Sequence, residues 1–154
     1  VYMHPDDRKI LELNPLFAMK FGLSCPACDF VTTDIQNGDR LHLADNDWIV
    51  IHTPGHTPGG VCFHCPEEGV LFSGDTLFAG TIGRTDHPMG DYDKEIVSIM
   101  DKIMGLDGCT NVLPGHGPTT TIADERTHNP FLQPWGEPDQ DDIDWDADGI
   151  ELNG

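Results

Sequence analysis

Three times in this chain, an apolar strand-like run stops at a Gly/Pro turn that carries a metal-ligand side chain. The segments are Ile51-His52-Thr53-Pro54-Gly55-His56, Leu71-Phe72-Ser73-Gly74-Asp75 and Val112-Leu113-Pro114-Gly115-His116. A residue at the end of a buried strand is held firmly, and Gly and Pro let the backbone reverse sharply beside it. Two imidazoles and one carboxylate are borderline donors that suit zinc or iron. Each frame alone is commonplace, since a strand-end Asp is often a turn former and a single His a hydrogen-bonded polar group. The coincidence of three frames makes His56, Asp75 and His116 a candidate metal set.

The rest of the chain reads as alternating strands and helices around these frames. Val1–His4 is the end of a short strand, and Pro5 suits the first turn of a helix with Ile10, Leu11 and Leu13 on its apolar side. A less regular stretch follows through Gly22 and Cys25-Pro26-Ala27-Cys28. Asn37-Gly38-Asp39 signals a turn, with Leu41 and Leu43 alternating after it; strands are expected at Trp48–His52, Val61–His64, Val70–Phe72 and Asn111–Leu113. A helix from about Asp91 places Ile96, Ile99, Met100 and Ile103 on one stripe and ends near Gly105. A last short helix begins near Thr121, with Asp124 completing a capping box.

Composition limits the partners. The net charge of −19, from 27 acidic and 8 basic residues, opposes binding to nucleic acid or to an anionic membrane surface. No apolar run approaches the ~18 residues that a membrane span needs. Five cysteines, an odd number, are expected as reduced thiols of a cytoplasmic protein that carries no leader peptide. Eight acids and no base fall between Glu137 and Gly154, so residues 133–154 are expected to form a disordered acidic tail behind a domain at 1–132. Within it, alternating Asp from Asp142 to Asp148 is similar to a calcium loop, but Asn153 stands where the closing Glu belongs.

Four segments carry a family resemblance: Thr53-Pro-Gly-His56-Thr-Pro-Gly, Ser73-Gly-Asp75-Thr-Leu-Phe, Gly83-Arg-Thr-Asp86 and Leu113-Pro-Gly-His116-Gly-Pro118. They resemble the later signature motifs of the metallo-β-lactamase superfamily, and within it the short glyoxalase-II-like hydrolases. Glu125-Arg-Thr-His-Asn129-Pro-Phe131 resembles the last helix of that group. The resemblance implies an α/β fold, an αββα sandwich with a dinuclear site at one edge. His56 would bind one metal, His116 the other, and Asp75 would bridge them. The cofactors implied are two divalent ions, zinc by preference, with iron or manganese as alternatives. The implied chemistry is hydrolysis of a small-molecule thioester, a glutathione conjugate of the S-D-lactoylglutathione type, by a hydroxide held between the metals. The family's first metal motif, His-x-His-x-Asp-His, supplies four of seven ligands and is absent here. Val1–Pro5 resembles the strand that follows it, so the chain resembles the fold without roughly its first third, and its sandwich core is expected to be partly exposed.

Other residues carry two readings each. Arg84 is either an anchor for a glutathione carboxylate or an ion-pair partner of Asp86 or Asp91. Tyr92 either hydrogen-bonds substrate or packs at a helix start. His52, His64 and His87 are expected to be structural or solvent-facing, and His128 to belong to the last helix. Cys25-x-x-Cys28 with Cys62-x-x-Cys65 raises a four-cysteine zinc site, against which Cys62 is read as a strand-core residue facing away from Phe63 and His64. Two further functions compete with the hydrolase. One is a persulfide dioxygenase, which shares the Gly-Arg-Thr-Asp loop and holds a single iron through two His and one Asp. The Pro114–Pro118 form of the last motif favours the hydrolase over it. The other is an inactive fragment or a subunit that completes its fold on a partner.

Overall fold

The computed structural model describes residues 1–20, 22–25 and 32–133. In chain order the strands are β1 (Tyr2–Met3), β2 (Thr33–Asp34), β3 (Arg40–Leu43), β4 (Asn46–His52), β5 (Val61–Cys65), β6 (Val70–Gly74), β7 (Leu77–Phe78), β8 (Thr81–Ile82), β9 (Asn111–Pro114) and β10 (Thr120–Thr121). The helices are α1 (Arg8–Lys20), α2 (Tyr92–Ser98) and α3 (Ile122–His128). Six strands form the main sheet in the order β10-β9-β6-β5-β4-β3, while β1 pairs with β2 and β7 with β8. β4 and β5, and then β5 and β6, are antiparallel, and β6 and β9 are parallel. It follows that β4, β6 and β9 point the same way, and the segments after them emerge at one edge.

The two faces of this sheet differ. Directly opposed residues share a face, so Cys62, Leu71 and Val112 lie together on one side. They form a fully buried cluster there with Ile99, Ile103 and Ile122 from the helical segments. The other side is built from Val50, Phe63, Phe72 and Leu113 in register, with Leu41 paired to Trp48. A groove of about 460 Å³ opens on it, lined by Tyr2, Leu41, Leu43, Trp48, Phe63 and Phe72. Phe72 is 44% exposed while its neighbour Leu71 is fully buried. Trp48 and Phe72 stack with ring centroids 5.1 Å apart. An apolar sheet face left open in this way matches the partly exposed sandwich core expected from the sequence.

Several local expectations change. The first helix continues through Pro15 to Lys20, into the stretch expected to be irregular, and it buries no residue completely. The stripe after Asp91 breaks because α2 passes into a π turn at Ile99–Ile103, where Met104 N donates to Ile99 O. The extra residue in that turn rotates the following side chains, so Ile99, Ile103 and Met104 are buried and Met100 is exposed. α3 starts as expected, with Thr121 Oγ1 accepting from Asp124 N at 3.1 Å. His64 shares the face of Cys62, two residues away, rather than opposing it. Cys62 and Cys65, three residues apart in β5, point to opposite faces and cannot close on one ion. Burial pushes the Cys62 thiol up to about 11, as a strand-core cysteine requires. Cys28, the acidic tail and its calcium-like loop lie outside the described residues.

Candidate metal centre

His56, Asp75 and His116 follow β4, β6 and β9, the three strands of common direction, and their side chains meet at the shared edge. His56 Nε2 lies 3.7 Å from Asp75 Oδ2, and His116 Nε2 lies 3.8 Å from Asp75 Oδ1. Both separations exceed a hydrogen bond. They fall within the reach of two donors that each sit ~2.0–2.2 Å from a shared ion. The carboxylate thus turns one oxygen toward each imidazole, the disposition a bridging ligand needs, so the donor set fits divalent metal.

The imidazole orientations are set locally. His56 Nδ1 is 2.8 Å from Arg84 O, which makes Nδ1 the protonated nitrogen and leaves the Nε2 lone pair facing Asp75. The His87 ring stands edge-on to His56 at 5.1 Å, and the His116 ring lies 4.6 Å from that of Phe78. Burial, and then the neighbouring His56, hold the His87 imidazole below its ordinary value. A Cβ at Gly115 would come within 2.5 Å of Asp75 Oδ1, so a side chain there would displace the Asp75 carboxylate.

Behind the ligands lies a buried polar layer. Thr53 Oγ1 meets Thr76 Oγ1 at 3.1 Å and ties the base of the His56 segment to the residue after Asp75. Helix α2 and its π turn then grip the backbone of residues 52–56. Lys102 Nζ donates to His52 O, Ser98 Oγ donates to Pro54 O at 2.7 Å, and Asp91 N donates to Gly55 O at 2.8 Å. The Glu95 carboxylate accepts from His56 N at 2.9 Å. Gly55 is required for this approach, since a Cβ there would lie 2.3 Å from Glu95 Cα. Glu95 is fully buried, and burial pushes its carboxyl up to about 8 against the two nearby backbone N–H groups. From the opposite side, Asp7 accepts from Thr57 Oγ1 and Gly59 N, each at 2.7 Å.

Sequence reasoning missed Glu95, Ser98, Lys102 and Asp7. The signal available was the 95/98/102 spacing, a polar stripe along one helix side. Of the other residues singled out, Arg84 forms the ion pair with Asp86, Nε to Oδ1 at 3.1 Å and Nη2 to Oδ2 at 3.3 Å, which holds the Asp86 carboxyl below its ordinary value. Tyr92 begins α2 and packs against the core cluster. His128 lies in α3.

A second gathering of ligand-type atoms, at His4, Asp6 and His52, is of another kind. The two rings stack face to face at 3.9 Å with an interplanar angle of 11°, so their in-plane lone pairs run parallel instead of converging. His52 Nε2 is also occupied by Pro58 O at 2.9 Å. Among the described residues no helix is long and apolar enough to cross a membrane.

Known proteins share the fold of this chain. Residues 26–116 match the family model of the Metallo-beta-lactamase superfamily. Hydroxyacylglutathione hydrolase GloC of Haemophilus influenzae is 43% identical over 129 residues, covering 82% of this chain and 60% of its own length. The crystal structure of TTHA1623 in a di-iron-bound form superposes with a TM-score of 0.76 at 39% identity, covering 86% of this chain and 64% of that one. ETHE1 from Myxococcus xanthus gives a TM-score of 0.63 at 25% identity, covering 78% and 56%. The chain therefore spans about three fifths of the length of the curated relatives it matches.

Proposed function

The chain belongs to the metallo-beta-lactamase superfamily, and from that premise we propose that it is the later portion of a metal-dependent thioesterase acting on glutathione thioesters of the S-D-lactoylglutathione type. The observation that carries this proposal is the convergence of His56, Asp75 and His116, with one Asp75 oxygen turned to each imidazole. The identity with a hydroxyacylglutathione hydrolase supports the substrate class. The di-iron-bound neighbour supports iron alongside zinc as the resident ion.

His56 and His116 would each hold a divalent ion through Nε2, and Asp75 would link the two. Such ions supply Lewis acidity that polarises a carbonyl oxygen and a nucleophile available at neutral pH. The chain's own residues then have limited work to do. A thiolate leaving group, with an ordinary thiol pKa of ~8.5, departs without a strong general acid. Arg84 and Tyr92 are the proposed glutathione contacts. The Arg84–Asp86 pair means that a glutathione carboxylate would have to displace or share Asp86 to reach the guanidinium.

The open apolar sheet face fits the same proposal. Residues 1–132 would be the C-terminal part of a sandwich whose remaining layer belongs to a longer protein, in keeping with the 60–64% span of its relatives. The test is thiol release from S-D-lactoylglutathione by the protein expressed from its complete reading frame. Metal-dependent release that disappears in Asp75→Asn is expected. Oxygen uptake with glutathione persulfide in place of thiol release would overturn the hydrolase in favour of the dioxygenase.

A further inference from the structure

Glu95 is out of place by composition. A carboxyl on a helix in an acidic chain belongs in water, yet this one is fully buried, with Oε2 2.9 Å from His56 N and Oε1 without a hydrogen-bond partner among the described residues. Burying a carboxyl is costly unless it is hydrogen-bonded, and here one oxygen is bonded while the other is not. What it supplies is an acceptor for the backbone N–H of a proposed metal ligand, delivered from a helix rather than from the loop itself.

The surrounding contacts show why that acceptor matters. Residues 52–56 form no strand beyond His52, and their carbonyls are taken up one after another by Lys102 from the π turn, Ser98 of α2 and the Asp91 N–H ahead of it. Those three bonds fix where His52, Pro54 and Gly55 sit. The Glu95 bond reaches His56 itself from α2. The ring then takes its orientation from the bond between Nδ1 and Arg84 O. Gly83, next to Arg84, also faces the Glu95 carboxylate, since a Cβ at Gly83 would lie 2.7 Å from Oε1. Glu95 therefore sits beneath both segments that orient the His56 imidazole.

We infer that Glu95 is a positioning residue for metal binding, holding the His56 backbone so that Nε2 faces Asp75, an inference that rests on the metal-site proposal above. It acts through the loop and touches neither metal nor substrate.

The test compares the intact chain with Glu95→Gln and Glu95→Met, using Co²⁺ as the probe metal and amide hydrogen exchange at His56 as a metal-free readout. Gln keeps an oxygen to accept from His56 N; Met fills the space without one. The expected result is near-wild-type Co²⁺ affinity for Glu95→Gln. Glu95→Met should bind ~10–100-fold more weakly, the usual cost of removing a group that orients a ligand. Its melting temperature should stay close to that of the wild type, because the orphaned His56 N–H is offset by removal of a buried carboxyl whose Oε1 has no partner among the described residues. The His56 amide should be protected in the wild type and in Glu95→Gln and should exchange faster in Glu95→Met.

Equal Co²⁺ affinity and equal His56 protection in Glu95→Met would overturn the inference. So would a loss of affinity that follows a fall in melting temperature and is not rescued by Gln. A wild-type chain that takes up no Co²⁺ would instead sink the metal-site proposal, and the His56 amide would still decide whether Glu95 holds the loop.

Discussion

His56 and Asp75 stand 3.7 Å apart, Nε2 to Oδ2, although β5 lies between the strands that deliver them. Two strands of common direction separated by an antiparallel one end at the same edge of the sheet, so the turns after β4 and β6 fold toward each other across the end of β5. β9, parallel to β6, brings His116 to the other oxygen of the same carboxylate. The strand order alone accounts for the meeting of residues 56, 75 and 116.

Asp75 is the shared member, so its loss should be felt by both imidazoles. Asp75→Asn is expected to lower Zn²⁺ or Fe²⁺ affinity by at least about a hundredfold, the upper end of what removing an orienting partner alone costs. With 45% of its side chain exposed, the folded state should hardly notice. Equilibrium metal titration alongside thermal unfolding checks both halves.

Gly115→Ala should act on the same carboxylate by crowding. The new Cβ would lie 2.5 Å from Asp75 Oδ1, so the Asp75 side chain must rotate away from His116. Metal affinity is expected to fall about tenfold or more while stability changes by no more than the ~1–3 kcal/mol typical of overpacking. Metal titration and urea unfolding of the variant measure the two effects.

The contrast between the sheet faces predicts unequal costs for adjacent residues. Leu71→Ala empties a fully buried position and should cost ~2–5 kcal/mol. Phe72→Ser, on the open face, should cost about 1 kcal/mol or less in this chain and should improve its solubility. In a longer protein whose further layer covers that face, Phe72→Ser should become as costly as Leu71→Ala. Urea denaturation of both variants in both lengths reads this directly.

His4 sets a pH dependence. Burial, and then the stacked His52, hold its imidazole below the ordinary value of 6.5, against the pull of Asp6, Asp7 and Asp34. Above pH 6.5 the folded and unfolded chains are both neutral at this position. As pH falls below 6.5 the unfolded chain takes the proton first, so stability drops by up to about 1.4 kcal/mol per pH unit until the folded His4 titrates too. His64, lowered by its own burial, adds a loss in the same direction. His4→Asn keeps an acceptor for Asp6 N and should flatten the slope by one proton's share. Unfolding midpoints at pH 7.5 and 5.5 test this, and an unchanged slope in the variant would contradict it.

Strands β4, β5, β6 and β9 and the Gly/Pro turns at their ends were readable because their signals are local. The Thr121 cap was readable for the same reason. The two-residue strands β2, β7, β8 and β10 are too short to leave a pattern. The π turn at Ile99–Ile103 was not, because periodicity assumes one repeat throughout, and only the packing of Met104 shows the slipped phase. Glu95 escaped notice because a charged residue among helix polar positions is ordinarily solvated, and its burial follows from how closely α2 approaches Gly55. The difference between Cys62 and Cys65 was available in the sequence, since residues three apart on a strand always point to opposite faces.

The most direct test of the central claim is a Zn²⁺ titration of the chain followed by the imidazole resonances of its eight histidines. His56 and His116 are expected to shift at Nε2 along saturable curves, both responses to collapse in Asp75→Asn, and the stacked pair His4 and His52 to stay still. Movement of His4 and His52 while His56 and His116 do not respond would contradict it.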